Sequence, residues 1–241
     1  MLQPIPRYQY PPRLQPMRDD IQEAISQSHP SDSLKLARCK GSFLQCHSVF
    51  CPSCVRGALH HQRGRVLSAC SLLPERRRKS LKLATFRVRD VRLPDLRDVA
   101  KEASTAVSKT LKNLGVSGSV TRLEVSYPDW TDEVHPHFHC LIDSPPSGRG
   151  FIPKTALTES WAEHLPADLH APVPDVHVGI VRSLDSLCSY LTKSPFTDLE
   201  GNQADIPRTV AGIDALKGLP KLSSKGSLKL PANPHTVRYA A

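Results

Sequence analysis

Three histidines alternate along residues 135–139, HPHFH. Alternate side chains of a β-strand share a face, so His135, His137 and His139 project to one side and Phe138, Cys140 and Ile142 to the other. One side is apolar enough for a core. The other offers imidazoles, and two imidazoles at i and i+2 can converge on one divalent cation. Upstream, RLEVSY (122–127) alternates as well: Leu123 and Val125 share an apolar face, and Arg122, Glu124 and Ser126 a polar one. A hairpin turning near Trp130–Asp132 sets Glu124 opposite about position 138, half a step from His137 or His139. Two nitrogens and one carboxylate with open positions suit Mg²⁺ or Mn²⁺ bound to a phosphate oxygen, with zinc as the alternative.

A second pattern lies downstream. Tyr190 and Lys193 stand at i and i+3 of a predicted helix, so their side chains meet on one face. A phenol is a poor nucleophile at its ordinary pKa of about 10. An ammonium group beside it favours phenolate or stabilises charge on a pentavalent phosphorus, and a metal on the same phosphate supplies the remaining activation. A third pattern is CHSVFCPSC, which spaces Cys46, Cys51 and Cys54 as metal ligands, with Cys39 the natural fourth and His47, His60 or His61 as substitutes. Cys70, Cys140 and Cys188 read as small buried hydrophobes.

The elements that must position these groups are legible from periodicity. LKLATFRVRDV (81–91), SVTRLEVSY (119–127), VHPHFHCLID (134–143) and DVHVGIVRS (175–183) read as strands. Pro94 opens a helix whose apolar positions run from Leu96 to Leu114, and Gly115 stops it with a left-handed cap. Residues 154–165 and 183–193 read as two further helices, the last with Ser183 as N-cap. The order β-α-β-β-α-β-α predicts an α+β fold: an antiparallel-rich sheet with helices on one face, preceded by a small zinc-binding segment.

Charge divides the chain the same way. The 241 residues carry a net charge of +9, a surplus that suits a polyanionic partner. Residues 1–80 hold 13 basic and 5 acidic residues (+8), 81–199 hold 13 and 15 (−2), and 200–241 hold 6 and 3 (+3). Residues 1–36, with six prolines, read as a disordered arm. Residues 37–80 are the cysteine segment and basic linker, 81–199 the central domain, and 200–241 a flexible basic tail. Arg76, Arg77, Arg78 and Lys79, with Arg56, Arg63 and Arg65, are the expected phosphate contacts. Aromatic residues are 5% of the chain, so base stacking is limited to Tyr127 and Trp130. No run approaches the eighteen apolar residues of a membrane span, and the N-terminus lacks the apolar centre of a secretory signal. The expected setting is a reducing cytoplasm, where clustered thiols bind metal before they form disulfides.

Together, HPHFHCLI and, about fifty residues later, SYLTKS resemble the HUH endonuclease superfamily, and within it the single-tyrosine rolling-circle plasmid replication initiators (Rep proteins). The resemblance covers residues 39 to about 196. It implies a ferredoxin-like palm and a site-specific nickase and ligase acting on single-stranded or hairpin origin DNA. Tyr190 would attack the scissile phosphate, leaving a 5′-phosphotyrosine and a free 3′-OH that primes synthesis. His137, His139 and Glu124 would hold the metal, with His135 behind them, and Lys193 would stabilise charge. The cysteine segment separately resembles one that precedes the nuclease core in many initiators, which implies Zn²⁺ on Cys39, Cys46, Cys51 and Cys54. Related initiators often carry a carboxylate four residues before the tyrosine to end the reaction. Here that position is Ser186, and the neighbouring Asp185 lies about 100° off that face and suits the helix N-terminus. With no helicase motif read, a host helicase and polymerase are the expected partners. Two rivals are a related single-strand transposase or relaxase, and a non-catalytic zinc-finger regulator that would not need the phenol.

Overall fold

The computed structural model describes residues 14–39, 46, 48–128, 132–144, 152–171, 176–191, 196–198, 206–220 and 222–232. A seven-stranded, mainly antiparallel sheet organises them. Strands β1 (Lys82–Arg87), β3 (Gly118–Tyr127), β4 (Glu133–Asp143) and β5 (Val176–Ile180) lie in the order β5-β1-β4-β3. Short β2 (Val91–Arg92) continues the line of β1 along β4. The outer edge of β3 is shared: β7 (Leu222–Gly226) pairs antiparallel with Gly118–Arg122, and β6 (Phe196–Asp198) parallel with Val125–Tyr127. Pro136 sits where β4 changes partners, between Arg87↔His137 and Val91↔Val134. Having no N–H to give, a proline is tolerated at such a gap.

The apolar side of the sheet is covered by α5 (Leu96–Asn113) and α6 (Lys154–His164). The predicted spacing holds: Leu96, Val99, Ala100, Ala103, Val107 and Leu111 are buried against the sheet. Gly115 follows at φ +64°, as a left-handed cap requires. Trp161 meets Phe86 at 5.1 Å between ring centroids and donates its indole N–H to the Arg87 carbonyl at 3.3 Å.

Helices cover the other side too, which corrects the expectation of one helical face. There α3 (Pro52–Ser71) and α7 (Leu184–Leu191) bring Val66, Cys70, Leu187, Cys188 and Leu191 over Leu81, Val120 and Leu141. The reason is that the histidine side is polar only in part. Its lower half carries Leu83, Val120 and Leu141, which need cover.

Residues 14–38 and 206–230 carry more regular structure than their composition predicts, while residues 1–13 of the expected disordered arm lie outside the described residues. Within the rest of that arm, α1 (Leu14–Ile25) and α2 (Pro30–Arg38) bury Ile21, Ile25 and Leu36 with Phe50, Cys39 and Cys51. Pro16 and Pro30 fall in first turns, where a missing N–H costs nothing. The basic linker is a short helix, α4 (Glu75–Lys79). The expected flexible tail contributes α8 (Ile206–Ala215) as well as β7. Gly118 and Gly226 permit the β7 contact: a Cβ on Gly118 would stand 2.3 Å from Ser227 Oγ, and one on Gly226 2.0 Å from the Ser117 carbonyl.

Candidate active site

The β3–β4 register sets Glu124 opposite His137 and Arg122 opposite His139, half a step from the expected position 138. On the other flank of β4, Thr85 faces His139 and Arg87 faces His137. Glu124 Oε2 lies 2.9 Å from His139 Nε2 and 3.7 Å from His137 Nε2. A cation about 2.1 Å from ligands at right angles needs them about 3.0 Å apart, and a tetrahedral site about 3.4 Å. The three donor atoms, all within 4.8 Å of one another, fit a divalent cation.

The second nitrogen of each ring is already engaged. His137 donates Nδ1–H to the His135 carbonyl at 3.1 Å, and His139 Nδ1 lies 3.0 Å from Thr85 Oγ1. The carbonyl only accepts, so His137 carries its proton on Nδ1 and keeps Nε2 as a lone pair on the Glu124 side. The Thr85 hydroxyl, able to donate or accept, orients the His139 ring without setting its tautomer. His135 itself is drawn out of the group by an ion pair with Asp90. Its backbone, rather than its ring, serves the site.

Tyr190 projects from α7 onto the same group. Its Oη stands 3.0 Å from His139 Nε2, and the two rings meet edge-on at 4.7 Å. Burial, and secondarily the Glu124 carboxylate, push the phenol up to about 12. At neutral pH it is therefore a neutral hydroxyl, hydrogen-bonded to His139. Ser183 Oγ accepts the Ser186 N–H at 3.3 Å, the predicted N-cap. Asp185 is ion-paired with Arg63 of α3, tying the two helices together. Lys193, Trp130 and His47 lie outside the described residues.

Sequence reading missed two residues here, Thr85 and Arg122 as part of the site. Arg122 is only 3% exposed, on the Glu124 face of β3. Burial pulls its guanidinium down to about 10, against the pull of Glu124, so it remains a cation at neutral pH. The available signal was Thr85 breaking the apolar alternation of KLATFR, the same device that exposed Glu124.

At the cysteine segment, thiol separations are 3.9 Å for Cys39–Cys54, 3.6 Å for Cys46–Cys54 and 3.6 Å for Cys39–Cys51. Four thiolates about 2.3 Å from a tetrahedral zinc lie about 3.8 Å apart. The cluster is thus sized for zinc. Burial raises the thiols of Cys46, to about 11, and of Cys51, so a cation is needed to hold them as thiolates at neutral pH. His60 and His61 are exposed on α3 and stand outside the group.

The basic candidates divide. Arg77 is ion-paired with Asp143, a carboxylate with no exposure, which Ser227 Oγ also contacts. Arg63 holds Asp185, Arg65 donates to the Pro231 carbonyl at 2.6 Å, and Lys79 pairs with Glu75 at 2.7 Å. Arg56, Arg76 and Arg78 have no side-chain partner among the described residues. The Arg77 guanidinium is therefore held by Asp143 within the fold. Tyr127 is likewise buried, donating its hydroxyl to the Arg208 carbonyl at 2.9 Å, and offers no stacking surface. Among the described residues no helix is long and apolar enough to cross a membrane. No known protein family, characterised protein or solved structure matches the chain.

Proposed function

We propose that the protein is a metal-dependent DNA nickase and strand transferase of the HUH type, acting as an initiator of rolling-circle plasmid replication. The observation that carries this reading is the convergence of a phenol, two imidazole nitrogens and a carboxylate at one point. Glu124, His137 and His139 hold Mg²⁺ or Mn²⁺, which when bound draws charge from the scissile phosphate. Tyr190 Oη attacks phosphorus in line with the departing 3′ oxygen. The O–P bond of the 5′-phosphotyrosine forms as the P–O3′ bond breaks, and the proton given up by the phenol is balanced by the one gained at the 3′-OH. No water is consumed, so the reverse attack by a 3′-OH religates the strand. The buried cation of Arg122 supplies positive charge beside the site, and the resemblance assigns Lys193 to charge stabilisation as well. Zn²⁺ on Cys39, Cys46, Cys51 and Cys54 holds the N-terminal helices.

The test is incubation of the full chain with single-stranded oligonucleotides and Mn²⁺, followed by denaturing electrophoresis and mass spectrometry. A covalent adduct mapped to Tyr190, lost on Mn²⁺ omission and in Tyr190→Phe, supports the reading. An adduct that persists in Tyr190→Phe overturns the role of the phenol, and the absence of any adduct on origin-strand DNA overturns the whole reading and leaves the non-catalytic regulator.

A further inference from the structure

A cavity of about 390 Å³ opens on the sheet face opposite the histidines, between the C-terminal half of α5, the start of β3 and β7. Its interior is lined by hydroxyls, among them Ser104, Ser108, Ser117 and Ser119. Its rim carries Lys109 and Lys112 from α5 and Lys225 from β7, all three exposed. No carboxylate lines it, and among the described residues none of the three lysines has an ion-pair partner. Lys109 and Lys112 belong to a central segment whose net charge is −2, and Lys225 to the basic residues 200–241. A helix C-terminus normally repels anions. Here the last carbonyls of α5 are occupied by the N–H groups of Leu114, Gly115 and Val116, leaving the lysines to set the local field. The Gly118–Gly226 approach brings β7 against β3 and so places Lys225 across from the α5 lysines.

We propose that this cavity binds backbone phosphates of duplex DNA lying outside the scissile strand. Hydroxyl donors flanked by mobile ammonium groups, without an acidic neighbour, match phosphodiester chemistry. The partner follows from the proposed nickase reading. The scissile phosphate belongs on the other face of the sheet, so a phosphate held here lies outside the cleaved step, and the single-stranded arm of the test separates flanking duplex from the scissile strand itself.

The test compares wild type with Lys109→Ala/Lys112→Ala/Lys225→Ala and with a charge-matched control, Lys35→Ala/Lys154→Ala/Lys217→Ala. Binding to a mixed-sequence duplex about three helical turns long is read by fluorescence anisotropy across a salt series, with thermal melting to confirm folding. The cavity variant should lose about tenfold or more in affinity, and its log–log salt slope should fall by about 0.9 for each phosphate contact removed. Adduct formation on a single-stranded oligonucleotide should be unchanged. Equal loss in the control, equal loss on single-stranded DNA, or an unchanged salt slope overturns the proposal. Because duplex binding is measured without nicking, lysine-dependent binding can hold even where the Tyr190 adduct fails, which separates this inference from the proposed activity.

Discussion

The hydroxyl of Tyr190 lies 3.0 Å from Nε2 of His139, the same nitrogen that stands 2.9 Å from Glu124 Oε2. One nitrogen thus serves two neighbours. A cation bound there needs its lone pair and displaces the hydrogen bond between ring and phenol. Removing the hydroxyl should therefore leave cation binding intact or tighten it a few-fold, while abolishing the covalent adduct. Calorimetric titration of Tyr190→Phe with Mn²⁺ checks this. Affinity lost along with the adduct would mean that the phenol supports the cation site rather than competing for it.

Thr85 orients the His139 ring from the opposite flank of β4. Thr85→Val keeps the shape and deletes the hydroxyl. Mn²⁺ affinity is expected to fall about tenfold, as for other groups that orient metal-bound imidazoles. Thermal stability should change little in comparison, and Thr85→Ser should restore binding.

In protein without added Mg²⁺ or Mn²⁺, the Tyr190 phenol is raised above its ordinary value to about 12. A raised folded-state pKa means that the folded chain keeps its proton longer than the unfolded one. The associated stability is full below about pH 10 and is lost as pH rises toward about 12. Urea unfolding at pH 9 and pH 11 should show a smaller drop in Tyr190→Phe than in wild type. An identical drop would show that Tyr190 contributes none of it.

Arg77 and Asp143 join α4 to the end of β4. Arg77→Ala strands a carboxylate with no exposure and should cost about 3 kcal/mol of stability. Arg76→Ala, at an exposed position, should cost less than about 0.5 kcal/mol and should reduce the salt dependence of DNA binding. Chemical denaturation and anisotropy separate the two effects.

The site was legible where local periodicity determines it. Alternation placed His137 and His139 on one face of their strand and Glu124 on the polar face of its own, because a strand has a period of two whatever surrounds it, and the pairing register set Glu124 opposite His137. The same logic failed for His135, since Asp90 reaches it from a loop whose path no periodicity encodes. Thr85 and Arg122 went unread because their roles depend on which strand lies beside which. The prolines of residues 1–36 read as disorder, yet two of them begin helices, and the small core of Ile21, Ile25 and Leu36 forms only through contact with Phe50 and the cysteines. The tail misled for a related reason. LSSKG looks like a linker until the two glycines let it dock on β3.

Helix α3 starts at Cys51 and Cys54 and ends with Val66 and Cys70 packed on the helix that presents Tyr190. At 1.5 Å per residue, its 20 residues make a rod about 30 Å long. The thiol cluster and the phenol therefore sit at opposite ends of one lever, pinned again along its length by Arg63 on Asp185. A cation taken from the thiol cluster would release the near end, and the slack would be felt at the Tyr190 phenol, far from any bond that had been broken.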